Sequence, residues 1–123
     1  MFDIFTETHF SSGHHLRNYP GNCERPHGHN WKVQVTIRAT GLDELGMGID
    51  FKTVKKALKD ILDALDHTDL NTHPAFQDRN PSSENIAVYI YGELKKTLTT
   101  ERYRPYSVTV RETENSGVTY RED

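Results

Sequence analysis

A single cysteine, Cys23, stands among 123 residues. An internal disulfide is therefore excluded, and a lone thiol suits a reducing compartment. No apolar run approaches the ~20 residues of a membrane span. The start, Met1-Phe2-Asp3-Ile4, lacks the basic and apolar regions of a signal peptide. Positive charge is not in surplus either: 15 basic residues face 18 acidic ones, for a net charge of −3 and a pI near 6.1. A nucleic-acid footprint or a membrane surface is not expected from such a balance. From these absences a cytoplasmic protein with no nucleic-acid or membrane partner is expected. Apolar residues are scarce too, at 34%, and mean hydropathy is −0.77. A domain with so little apolar material either buries part of its sheet against another subunit or is a monomer with a polar outer face; composition does not choose. The length suffices for one core and is short for two, so residues 1–123 are expected to form a single domain.

Periodicity supplies the elements. Residues 2–11 alternate loosely and read as a strand. Residues 16–26, with Pro20, Gly21, Asn22 and Pro26, read as a loop. The clearest strand follows: Trp31, Val33, Val35, Ile37 and Ala39 share one face, and Lys32, Gln34, Thr36 and Arg38 the other. His27 and His29 have the parity of Trp31. Gly41, Gly46 and Gly48 mark a turn, from which a strand is expected to lead into Asp50. Asp50 is a good N-cap for a helix whose apolar stripe is Phe51, Val54, Leu58, Ile61, Leu62 and Leu65. Residues 66–81 form a long polar connection of the kind that often carries function. Ser82 or Ser83 can cap a second helix, striped by Ile86, Ala87, Ile90 and Leu94. Residues 105–112 and 117–121 read as a closing antiparallel pair around Asn115-Ser116-Gly117. The expected fold is α+β, in the order ββααββ, with one antiparallel four-stranded sheet and two helices on one side.

Chemistry concentrates in Cys23-Glu24-Arg25-Pro26-His27-Gly28-His29, with Gly13-His14-His15 upstream. Two histidines one residue apart on a strand share a face. A third imidazole would complete the protein half of an open catalytic metal site. His14 and His15 compete for that place, since neighbours on a strand point to opposite sides. Cys23, close to such a cation, would favour its thiolate. The alternative is a closed structural zinc with Cys23 as the fourth ligand. Asp66-His67 reads either as a proton relay or as the polar end of a helix, the commoner case for such spacing. His9 and His73 read as ordinary surface or structural residues. Glu112 has the parity of Val108 and Val110, which would carry a carboxylate onto the apolar face. There it must pair with Arg111 or Arg121 or receive a ligand with two adjacent N–H donors, unless the strand ends first.

Six segments in order resemble the 6-pyruvoyltetrahydropterin synthase / 6-carboxytetrahydropterin synthase family. They are Phe10-Ser11-Ser12-Gly13-His14-His15-Leu16, Cys23-Glu24-Arg25-Pro26-His27-Gly28-His29-Asn30, Gly46-Met47-Gly48-Ile49-Asp50-Phe51, Leu65-Asp66-His67-Thr68-Asp69-Leu70-Asn71, Pro81-Ser82-Ser83-Glu84-Asn85 and Val110-Arg111-Glu112-Thr113. The resemblance covers nearly the whole chain. It implies that His14, His27 and His29 bind Zn2+, that Cys23 is catalytic, and that Asp66 and His67 are its relay partners. It implies that Glu112 anchors the pterin ring, and that Ser82 and Ser83 contact pterin from a neighbouring subunit. The implied fold is the tunnelling fold (T-fold), in which three subunits close their sheets into a β-barrel and two trimers stack as a homohexamer.

The implied substrate is 7,8-dihydroneopterin triphosphate. Zinc would lower the pKa of its side-chain hydroxyls, and Cys23, Asp66 and His67 would move protons at the side-chain carbons as triphosphate leaves. The short spacing from Cys23 to His27 resembles the branch that releases acetaldehyde and forms 6-carboxy-5,6,7,8-tetrahydropterin for queuosine and other deazapurines. A longer insertion marks the 6-pyruvoyltetrahydropterin branch. Glu24 resembles the glutamate of a third branch, which forms 6-hydroxymethyl-7,8-dihydropterin for folate. Cys23 and Glu24 side by side look like a dual-motif subgroup; the alternative for Glu24 is a surface charge. A pterin-binding protein without turnover is a further reading, against which the set Cys23, Asp66 and His67 argues.

Overall fold

The computed structural model describes residues 1–19 and 25–122. Cys23 and Glu24 lie outside the described residues.

The strands β1 (Phe2–His14), β2 (His27–Ala39), β3 (Tyr103–Thr113) and β4 (Ser116–Arg121) form one antiparallel sheet in the order β1-β2-β3-β4. Helices α1 (Phe51–Asp63) and α2 (Ser83–Thr97) lie between β2 and β3 in the chain. The alternation in β2 has the expected consequence: Trp31, Val33, Val35, Ile37 and Ala39 are all fully buried beneath the helices. From α1 the core receives Val54, Leu58 and Leu62, and from α2 Ile86, Ala87, Ile90, Tyr91 and Leu94. Truncating one such leucine to alanine costs about 2–5 kcal/mol, because the cavity left behind only partly collapses. Asp50 caps α1 by accepting the Lys52 N–H, and Ser82 caps α2 by accepting that of Asn85.

Three sequence expectations change. β1 runs to His14 rather than stopping near residue 11, because its ladder with β2 continues through Ser12↔His29 and Gly13↔Gly28 to His14↔His27. No strand leads into Asp50. The Asp43 carboxylate instead accepts the N–H groups of Leu45 and Met47, Gly46 adopts φ 81°, and Arg102 donates to the Gly48 carbonyl, so this stretch is a side-chain-stitched loop. Phe51, placed in the apolar stripe of α1, is 58% exposed, and the buried face of the helix is Val54, Leu58 and Leu62.

The polar connection 66–81 contains two short 3₁₀ turns, Leu70–Thr72 and Pro74–Phe76, anchored by buried Leu70 and Phe76. Its first residues lie alongside the end of β1, where Gly13 and Asp69 form an isolated parallel bridge. This places the connection next to the histidines of β1 and β2.

Candidate metal centre and adjacent cleft

His14 at the end of β1 and His27 and His29 at the start of β2 project to the helix side of the sheet, on the parity of Trp31. Trp31 fixes two of the rings: its indole stands edge-on to His14 at 4.8 Å and to His29 at 5.1 Å, and its N–H donates to the Ser12 carbonyl at 3.1 Å. The two strands meet closely here, and a Cβ on Gly13 would lie 3.3 Å from the His27 carbonyl oxygen. β3 brings in the fourth group. Val33 pairs with Val110 and Lys32 with Arg111, so the ladder carries Glu112 toward the same end. Its Oε1 lies 3.1 Å from His14 Nε2 and 3.2 Å from His29 Nε2, rather than pairing with Arg111 or Arg121.

The hydrogen bonds define the tautomers. His14 Nδ1 is 2.7 Å from the Pro81 carbonyl oxygen, and His27 Nδ1 is 2.7 Å from that of Arg25. A carbonyl only accepts, so each Nδ1 carries the proton and each Nε2 of the neutral rings presents a bare lone pair. Those two Nε2 atoms are 3.1 Å apart. His29 Nε2 is buried and has no aligned hydrogen-bond partner among the described residues. Burial pushes the His14 pKa below the ordinary histidine range, against the opposing pull of the Pro81 bond, and lowers that of His29 against the pull of Glu112. Both effects favour neutral rings, the form that binds metal. The four candidate ligand atoms lie within 4.8 Å of one another. Converging lone pairs, an orphaned buried nitrogen and a carboxylate form a donor set that can hold a metal ion. Three imidazoles suit zinc at the usual Zn–N distance of about 2.0–2.1 Å, and other transition metals as well. The sequence left His14 and His15 as rivals; the fold sends His14 to this centre. The His15 backbone instead bonds to the side chain of buried Asn71.

Asp66 and His67 are brought together and held against β1. Asp66 Oδ1 is 2.9 Å from His67 Nδ1 and accepts the Ser11 N–H at 2.8 Å. That Ser11 bond, then the contact with His67, keeps the Asp66 carboxyl below its usual range. His67 has φ 55°, a left-handed conformation that costs a non-glycine residue about 1–2 kcal/mol. Its N–H donates to the Ser11 carbonyl at 2.6 Å. The imidazole, 81% exposed, borders a cleft of about 410 Å³ also lined by His29, Asn30 and Gly28. His29 of the candidate metal centre and His67 of the Asp–His pair therefore line the same cleft. Ser82 and Ser83 are not among the residues lining it; Ser82 spends its side chain on the cap of α2, while the Pro81 carbonyl before it orients His14. Neither Ser12 nor Asn71 is expected at the site from the sequence, although Ser12 has the parity of His14 on β1.

A four-stranded antiparallel sheet, two helices on one face and a histidine cluster at the sheet's end define an α+β protein of the T-fold type. The family description "6-pyruvoyl tetrahydropterin synthase" matches residues 3–123. The 6-carboxy-5,6,7,8-tetrahydropterin synthase of Bacillus subtilis (strain 168) is 33% identical over 127 residues, covering 98% of this chain and 85% of that protein. The 6-pyruvoyl tetrahydrobiopterin synthase of Homo sapiens is 38% identical over 105 residues, covering 82% of this chain and 71% of that protein. The 6-pyruvoyl tetrahydropterin synthase structure from Caenorhabditis elegans superposes with a TM-score of 0.85 at 28% identity, covering 99% of this chain and 96% of that one. The chain belongs to the 6-pyruvoyl tetrahydropterin synthase family.

Proposed function

We propose that this chain is a zinc-dependent lyase that converts 7,8-dihydroneopterin triphosphate and one water into 6-carboxy-5,6,7,8-tetrahydropterin, acetaldehyde and triphosphate, on the route to queuosine. The observation that carries the reading is the convergence of His14, His27 and His29 beside a cleft that His29 and His67 line together. Zinc held by His14, His27 and His29 would supply Lewis acidity toward the substrate's side-chain oxygens. Asp66 holds the His67 imidazole through Nδ1, leaving Nε2 to exchange protons in the cleft. Cys23, as thiolate, removes and returns protons at the side-chain carbons in concert with His67. Glu112 is the pterin anchor: a carboxylate accepts two parallel N–H donors from an amino-pyrimidinone edge. It lies beside the histidines, so the ring would sit next to the metal.

Two further parts of the reading concern assembly and setting. β1 and β4 are the edges of the sheet in a single chain, which supports closure of three sheets into a barrel; two such trimers would stack as a hexamer. Ser82 and Ser83 would then reach a neighbour's pterin. Residues 1–123 act as one cytoplasmic domain.

The carboxy product is favoured by the three-residue gap between Cys23 and His27. A second reading is favoured by Glu24 next to Cys23: formation of 6-hydroxymethyl-7,8-dihydropterin for folate. One incubation separates them. Zinc-loaded protein is mixed with 7,8-dihydroneopterin triphosphate and the pterins are resolved by mass. Carboxytetrahydropterin alone supports the first reading, the hydroxymethyl compound in addition supports a dual role, and a pyruvoyl product or no turnover overturns both.

A further inference from the structure

We infer that Ser12 is a positioning residue that keeps the Asp66–His67 pair in register with the metal-binding histidines; this rests on the reading of that pair as the proton relay. Ser12 is buried, 6% exposed, at the wall of the cleft. Its Oγ lies 2.5 Å from the Leu65 carbonyl oxygen and 2.6 Å from that of Thr68, with Thr68 Oγ1 at 3.2 Å and the Thr68 N–H approaching at 3.3 Å. One hydroxyl has one proton and two lone pairs. It therefore serves both ends of the four-residue turn Leu65–Thr68, and Asp66 and His67 are the two residues between those ends.

Backbone bonds on either side complete the clamp. The Ser11 N–H reaches Asp66 Oδ1, the His67 N–H reaches the Ser11 carbonyl, and the Gly13 N–H reaches the Thr68 carbonyl at 3.0 Å. His14 is the next residue of the same strand, so the spacing between relay and metal centre is set by a short stretch of extended backbone. A left-handed histidine persists only where its surroundings over-determine it, and glycine or asparagine would adopt that conformation with less strain. The turn thus holds a strained backbone that presents an imidazole to the cleft. Ser12 contributes to that hold through a side chain that belongs neither to the donor set nor to the pair.

The test uses the metal-loaded full chain. Ser12→Ala should speed amide hydrogen exchange at His67 and Gly13 at least tenfold while the amides of Val33 and Val35 keep their protection. With 7,8-dihydroneopterin triphosphate, kcat should fall roughly 10–100-fold while KM and bound metal stay within twofold. Ser12→Thr, which restores a hydroxyl, should recover much of both. In a His67→Ala background, adding Ser12→Ala should cost less than twofold. Thr68→Val removes the facing hydroxyl from the exposed side of the clamp and should give the same pattern at smaller size, even if Ser12→Ala does not fold. Unchanged exchange at His67 and Gly13, parallel loss of kcat and metal, or an equal penalty with and without His67 would each overturn the assignment. Absence of turnover in the unmutated chain would defeat the relay reading, while the exchange experiment still decides whether Ser12 holds the turn.

Discussion

His14 Nε2 and His27 Nε2 lie 3.1 Å apart although each ring has committed its Nδ1 proton to a backbone carbonyl. Neither nitrogen has a hydrogen to offer the other, so the two lone pairs repel unless a cation lies between them. Chelating the metal should therefore destabilise the protein. With free metal a hundredfold above its Kd, binding adds about 2.7 kcal/mol, so the Tm should fall by on the order of 10 °C on chelation. His14→Ala should lose metal and show a Tm that no longer responds to chelator. A Tm indifferent to chelation in the unmutated chain would sink the metal centre.

Glu112 touches His14 and His29 and is the proposed pterin anchor. Glu112→Gln should keep full metal content while weakening a bound pterin analogue tenfold or more, the loss of ~1.5–3 kcal/mol expected for charge-assisted hydrogen bonds. Calorimetry together with metal analysis reads both quantities. Loss of metal with pterin affinity intact would make Glu112 a ligand instead.

Asp66 gives a pH dependence with a definite sign. Its folded-state pKa is depressed, chiefly by the Ser11 N–H. The stability it contributes is fully present above the ordinary aspartate value of about 3.9 and is lost as pH falls through the lower folded value. Asp66→Asn has no such titration. The stability gap between the two proteins should be constant at neutral pH and close on acidification below about pH 3.9, measured by denaturant unfolding. A gap that widens there would contradict the contact.

Trp31 ties the histidine end of the sheet to the core. Trp31→Phe should strand the buried Ser12 carbonyl and cost about 1–3 kcal/mol. Loss of the edge contacts to His14 and His29 should also lower metal affinity. Urea unfolding and metal competition measure the two effects. Stability unchanged in both would show that the indole N–H is dispensable.

Cys23 and Glu24 make separable predictions about product. Cys23→Ala should abolish carboxytetrahydropterin while metal content is retained; metal loss would instead make Cys23 a ligand. Glu24→Ala should erase any hydroxymethyl product and spare the carboxy product. Equal loss of both would mean that Glu24 is not specific to one branch.

Much of the fold was legible because local patterns suffice where burial is one-sided. The alternation from Trp31 to Ala39 and the stripe Val54, Leu58, Leu62 each name their buried face directly. The stretch before Asp50 was misread because glycines beside apolar residues suit a strand as well as a loop. The deciding bonds come from Asp43 and from Arg102, which is far along the chain. At the site, the parity of His27, His29 and Glu112 with their apolar neighbours correctly sent all three to the helix side. The choice between His14 and His15 could not be made from adjacency, since it depends on how far the β1–β2 ladder extends.

The sequence by itself determined the residue types, their parity on each strand and the order of the elements, because these depend on side-chain chemistry and short-range periodicity. Only the tertiary structure decided which nitrogen of His14 faces the candidate metal centre. The carbonyl that sets the His14 tautomer belongs to Pro81, 67 positions along the chain, whose approach no spacing encodes. The tertiary structure also decided that Asp66 and His67 stand at the end of β1 in a strained turn held by Ser11 and Ser12. Hydrogen bonds between residues more than fifty positions apart exist only after the core beneath them has packed.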